Sequence, residues 1–114
     1  MEFAGTAEAM KRVGPLRQPF QENTPLAVVA TNARLTKVQA VKVAQLAQHG
    51  MVRTICPVHT MFDGDLVIAL SLGAAQADVN AVGLAAAEAL EGAILRAVRL
   101  APSVGGAPGL AGPR

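Results

Sequence analysis

Two places in this 114-residue chain have residue types and spacings that can do chemistry: Asn23-Thr24, directly ahead of "PLAVVAT", and the pair Asp63 and Asp65 around Gly64 in "MFDGD". A Thr whose α-amine is free can act as a nucleophile, because the amine lies beside the hydroxyl and accepts its proton. The same hydroxyl can attack the carbonyl before it and shift the acyl group from N to O, so that a precursor releases its own nucleophile. Asn23-Thr24 has the placement this requires, since a strand that begins at once fixes the hydroxyl at a layer interface. The plainer reading is a loop entering a strand, where small polar residues are ordinary.

Asp63 and Asp65 admit three readings: a turn whose carboxylates cap local N–H groups, a metal loop, or an acid pair that holds a catalytic amine and hydroxyl. A calcium loop needs further oxygen ligands at regular spacing, and "FDGDLVIAL" turns apolar at once, which disfavours metal. Asp-Gly is a common turn pair. His59 and Asp63 have the types for metal ligands or, with Ser71, for a Ser/His/Asp set. No second His stands at ligand spacing, His49 lying across an expected helix break, and no GxSxG elbow surrounds Ser71. A hydrogen-bonded structural His59 therefore comes first. Cys56, beside Pro57 in apolar surroundings and without a visible activating cation, reads as a buried inert thiol. The glycines at 105, 106, 109 and 112 precede no helix and make no phosphate loop.

The elements that must position these groups are short. Residues 1–12 suit a short helix, and the two prolines of "VGPLRQPFQEN" mark residues 13–23 as an extended connector. "LAVVAT" reads as a buried strand. Thr36 and Gln39 stand at capping-box spacing, so a helix begins there, with Val38, Val41, Ala44, Leu46 and Val52 on one face and Gly50 ending or bending it. "RTICPVHT" reads as a strand or extended segment, and "LVIALSLG" as a second strand-type run. Asp78 caps a second helix carrying Val79, Val82, Ala86, Leu90, Ala93, Ile94 and Ala97 at three- and four-residue spacing. After Leu100 the Gly and Pro content predicts a flexible tail.

Composition bounds the rest. Three Phe, no Trp and no Tyr leave a core of small aliphatic side chains, which pack elements closely but bury little area each. The net charge of +2 is spread without a basic run or interleaved aromatics, so nucleic acid is not an expected partner. One Cys permits no internal disulfide, the N-terminus lacks the apolar core of a secretory signal, and no apolar stretch reaches the roughly 18 residues of a membrane span. The expectation is a cytoplasmic protein without membrane contact.

Taken together, "ENTPLAVVATNARLTKVQA", "AQHGMVRTICPVHTMFDGDLVIALSLG" and the Ala-rich helix after them resemble the C-terminal part of the DmpA-like family, which comprises L-aminopeptidase/D-esterase, β-aminopeptidase and nylon-oligomer hydrolase enzymes. The likeness runs over roughly residues 15–101, and "CPVHTMFDGD" against the family's "RPVHTxxDGD" is its most specific part. It implies an α/β (α+β) chain that is part of an αββα four-layer sandwich similar to that of the N-terminal nucleophile hydrolases, with two to four strands and two main helices here. It also implies a precursor that cuts itself before a Ser or Thr. On this resemblance Asn23 is the last residue before the cut and Thr24 is the new N-terminus and nucleophile. Asp63 and Asp65 match the acidic positions that, in Thr-type members, orient the nucleophile and its amine.

The family's larger N-terminal part supplies a Lys, an Asn and oxyanion donors that this chain lacks. Pro25 stands where relatives usually carry Thr or an aliphatic residue; it has no N–H for a sheet and restricts Thr24 to extended conformations. Cys56 replaces the Arg before "PVHT". The resulting expectation is a propeptide-like connector over 1–23, a nucleophile-bearing portion over 24–101 and a tail over 102–114. Two strands and two helices leave apolar faces open, so the expected partners are the larger chain of the same precursor and copies of itself. The expected activity is amide or peptide hydrolysis of aminopeptidase type on small amides, peptides or esters, needing neither metal nor organic cofactor. The rival is a non-catalytic assembly module.

Overall fold

The computed structural model describes residues 5–12 and 24–113; the expected connector, including Asn23, lies outside the described residues. A short helix, α1 (Thr6–Arg12), precedes a strand β1 (Leu26–Ala33), a helix α2 (Lys37–Thr54), a second strand β2 (Leu66–Ala75) and a helix α3 (Val79–Leu100). β1 and β2 pair in parallel, Leu26 opposite Leu66 and Thr31 opposite Ser71. Parallel neighbours need a long crossover, and α2 supplies it.

Local chemistry sets the helix starts. The Thr36 hydroxyl accepts from the Gln39 N–H at 3.2 Å, and the Gln39 side chain accepts from the Thr36 N–H at 2.9 Å, the expected capping box. Asp78 accepts from the N–H groups of Asn80 and Ala81 at 2.9 and 3.0 Å. Both helices lie on one face of the sheet, where Ala27 and Val67 meet Ala47, Met51 and Leu90. The largest fully buried side chains are Met51 and Val43, so the core is as small-grained as the composition predicts.

The interior stripe of α2 is Val43, Ala47, Gly50 and Met51, whereas Val38, Val41 and Val52 are exposed. Gly50 does not end the helix, which runs on to Thr54: it is where α3 crosses. A Cβ there would stand 2.5 Å from the Ala87 carbonyl oxygen and 2.9 Å from the Glu91 nitrogen. On α3, Gly83 plays the reciprocal part against the Leu46 side chain, and Gly83, Ala87 and Leu90 are buried while Ala93 and Ala97 are exposed. Close crossing puts glycines at the contact, while Ala44 of the expected α2 face and Ala86, Leu90 and Ile94 of the expected α3 face pack in or against the core.

Of "RTICPVHT", expected as a strand or extended segment, Arg53 and Thr54 end α2 and the rest belongs to a loop over 55–65, with a cis peptide bond at Cys56–Pro57 and with Cys56 exposed, contrary to the buried thiol expected. In the Gly/Pro segment after α3, the Ser103 N–H donates to the Gly112 carbonyl at 2.9 Å, and Val104 and Ala107 exchange two bonds of 3.0 Å. The second face of the sheet carries Leu26, Val28, Leu66, Ile68, Leu70 and Leu72, whose exposures run from 40% to 76%. Strands apolar on both faces are the mark of a sheet covered on both sides. Among the described residues, no helix is long and apolar enough to cross a membrane.

Candidate active site

Because β1 and β2 run in parallel and in step, the segments that lead into them arrive side by side. The Leu66 N–H donates to the Pro25 carbonyl at 3.0 Å, so Pro25 joins the ladder through its carbonyl and its missing N–H leaves that bond intact. One residue earlier, Thr24 meets Gly64. A Cβ on Gly64 would stand 2.9 Å from Thr24 Oγ1 and 3.4 Å from its Cγ2. The exposed Thr24 hydroxyl is thus lodged against the one residue between the two acids that has no side chain.

The two acids have different surroundings. Asp63 Oδ2 accepts from the Thr60 hydroxyl and from the Thr60 N–H, both at 2.7 Å, and the Asp63 N–H returns a 3.1 Å bond to the Thr60 carbonyl. The Thr60 hydroxyl first, then its N–H, hold the Asp63 carboxyl below its ordinary value of 3.8, against the opposing effect of partial burial. Asp63 thereby closes a turn, the first of the three readings of the pair.

Asp65 is the buried acid, its side chain only 3% exposed. Its Oδ2 accepts from the His59 ring at 2.6 Å and from the His59 N–H at 3.3 Å. A carboxylate oxygen only accepts, so His59 Nδ1 carries a hydrogen in this arrangement. Asp65 Oδ1 is buried and has no hydrogen-bond partner among the described residues. The chain holds His59 at φ 55°, in the left-handed region, to deliver both donors. No hydrogen bond among the described residues joins Thr24 to either acid.

The other candidates lie elsewhere. The Ser71 hydroxyl donates to the Ala33 carbonyl at 2.8 Å and accepts from the Leu35 N–H at 3.0 Å, pinning the far end of the sheet. Ser71 stands six positions on from Asp65 along β2, about 20 Å, so no Ser/His/Asp set assembles. His49 sits exposed on α2, which continues unbroken past it. No group of three His, Cys, Asp or Glu among the described residues is placed to hold a metal ion. Sequence reasoning missed three participants: Gly64, Thr60 and His59 as the partner of Asp65. The Thr60-x-x-Asp63 spacing was the available signal for the turn.

The family model for peptidase family S58 matches residues 2–111. An uncharacterized aminopeptidase of Mycobacterium leprae is 42% identical over 82% of this chain and 30% of its own length. Uncharacterized aminopeptidases of Mycobacterium bovis and Mycobacterium tuberculosis are 35% identical over 94% of this chain and 35% of theirs. The chain thus spans about a third of the length of these curated relatives. No solved structure matches it significantly. With nearly the whole chain inside the family model, the chain belongs to peptidase family S58, the DmpA family.

Proposed function

We propose that this chain is the nucleophile-bearing portion of a self-processing amide or peptide hydrolase of aminopeptidase type. The observation that carries the reading is the Thr24 hydroxyl lodged against Gly64, between two acids of which the buried one keeps an oxygen free. An N-to-O acyl shift at Asn23-Thr24, followed by hydrolysis of the ester, frees the Thr24 α-amine. That amine then takes the hydroxyl proton as Oγ1 attacks the carbonyl carbon of an amide or ester. The leaving group departs with the proton, water hydrolyses the acyl-enzyme, and the acid leaves as the hydroxyl is restored. Asp65 Oδ1 serves as acceptor for the amine, and Asp63 keeps the loop folded around Gly64.

The oxyanion donors come from the two thirds of the relatives' length that this chain does not span. The same reading gives the open sheet face its cover: the larger chain of the precursor, with further contacts between copies. An apolar face built on six large side chains is more than a monomer ordinarily leaves in water. A cytoplasmic location belongs to this proposal, since the lone, exposed Cys56 calls for no oxidising compartment.

Intact mass after incubation, alone and with any co-purifying larger chain, tests it. A product that begins at Thr24 and disappears in Thr24→Ala is the expected result. A chain that stays whole in both conditions refutes self-processing and leaves the assembly module, which the absence of a hydrogen bond between Thr24 and either acid favours.

A further inference from the structure

We infer that His59 is a positioning residue for the nucleophile's amine, acting through Asp65. The inference rests on the reading of Thr24 as nucleophile and goes beyond it, because it assigns the orientation of the acid to a residue outside the acid pair.

Of the two acids, Asp63 has Oδ2 committed to Thr60 in a local turn. Asp65 has one oxygen taken and one buried without a partner. What decides which oxygen is free is His59, whose ring and backbone N–H both land on Oδ2. A carboxylate held by one bond can rotate and exchange its oxygens; one held by two donors from a single residue cannot do so without breaking both. The ring remains one-third exposed while the carboxylate beneath it is almost wholly covered. The imidazole therefore also keeps water off Oδ2, so that the group Asp65 can still bind is the one presented to Oδ1.

The backbone is the second, independent observation. A non-glycine residue at φ 55° occupies a sparsely populated conformation, and such residues persist where the surroundings over-determine them. Here the left-handed turn is what lets the His59 N–H and its own ring converge on one oxygen. Asn tolerates this backbone region and carries an amide N–H near the place of a His Nδ1–H. Gly tolerates it too and carries no donor.

These two residues make the test. In the protein purified from its source with any chain that accompanies it, His59→Gly, His59→Asn and wild type are compared for the rate of Asn23–Thr24 cleavage and for kcat and KM on a small chromogenic amide. Circular dichroism and a thermal midpoint accompany each. Positioning predicts that His59→Gly loses about ten- to a hundredfold in kcat at unchanged KM, the range one hydrogen bond to a charged group carries, and that His59→Asn recovers most of it. Equal activity of His59→Gly and wild type, or equal loss in His59→Gly and His59→Asn with both folded, overturns the inference. A wild-type protein that neither cleaves nor hydrolyses overturns the Thr24 reading, and this one with it.

Discussion

Gly64→Ala isolates the contact on which the proposed chemistry depends. Gly64 is not among the glycines of positive φ, so an alanine there meets the backbone without strain and adds a single methyl group. That methyl stands 2.9 Å from Thr24 Oγ1, about half an ångström inside ordinary van der Waals contact. Rotation about the Thr24 Cα–Cβ bond offers limited relief, because Cγ2 is already at 3.4 Å from the same point. A misplacement of about 1 Å at a reacting group costs roughly a hundredfold, so half that displacement is expected to lower kcat about tenfold. The unfolded chain loses freedom on the same substitution, which at a compatible site stabilises by about 0.4–1 kcal/mol. The signature is therefore a fall in both self-cleavage and amide turnover at a urea midpoint that is unchanged or slightly raised. Wild-type rates in Gly64→Ala would refute the claim that the hydroxyl works from this position, and an unfolded protein would refute the account of the contact.

Gly50→Ala should do the reverse, harming the fold before the chemistry. The new Cβ meets backbone atoms of α3 at 2.5 and 2.9 Å, and the helices must part to admit it. Overpacking of about 1–3 kcal/mol outweighs the roughly 1 kcal/mol by which Ala favours a helix interior over Gly. The urea midpoint falls; an unchanged or higher midpoint contradicts the crossing. For Asp63, the folded carboxyl titrates below its ordinary value of 3.8 because of the Thr60 bonds. The folded state binds that proton less tightly than the unfolded one, so the contribution to stability is present above 3.8 and is lost as pH falls through the lower folded value. An NMR titration of the Asp63 carboxyl carbon should give a midpoint below 3.8, and Asp63→Asn should flatten the acid limb of stability against pH. A midpoint at or above 3.8 contradicts the turn.

What was legible in the sequence was local. "LAVVAT" and "LVIALSLG" announce strands by their length and β-branched content, and Thr36-Gln39 and Asp78 announce helix starts because a cap bonds only to its own first turn. The interior face of α2 was not legible by the same means. Val38, Val41 and Val52 outrank Ala47 and Gly50 in hydrophobicity, but the α2–α3 crossing is decided by which residues allow backbones to approach. Gly50 and Gly83 win there because they are small. The candidate site was partly legible for a related reason. Asn23-Thr24 and the two acids stood out by type and resemblance, yet the meeting of Thr24 with Gly64 depends on strand register across forty residues. Register is fixed by pairing and burial together, not by either segment alone.

The open sheet face and the unfinished site have a common physical origin. Parallel strands that are apolar on both faces are stable only between two layers, and this chain supplies one, the pair α2 and α3. The nucleophile proposed at Thr24 sits at the leading end of the same strands, where Pro25 hands the chain into the sheet. On the proposed reading, the segment that covers Val28, Ile68 and Leu70 is also the one that brings oxyanion donors to Thr24. Docking of that segment then buries the face and completes the catalytic groups in one event. Cleavage at Asn23-Thr24 should accordingly wait for docking: an undocked chain holds a hydroxyl and a base-to-be, but has no donors to stabilise the oxyanion of the acyl shift.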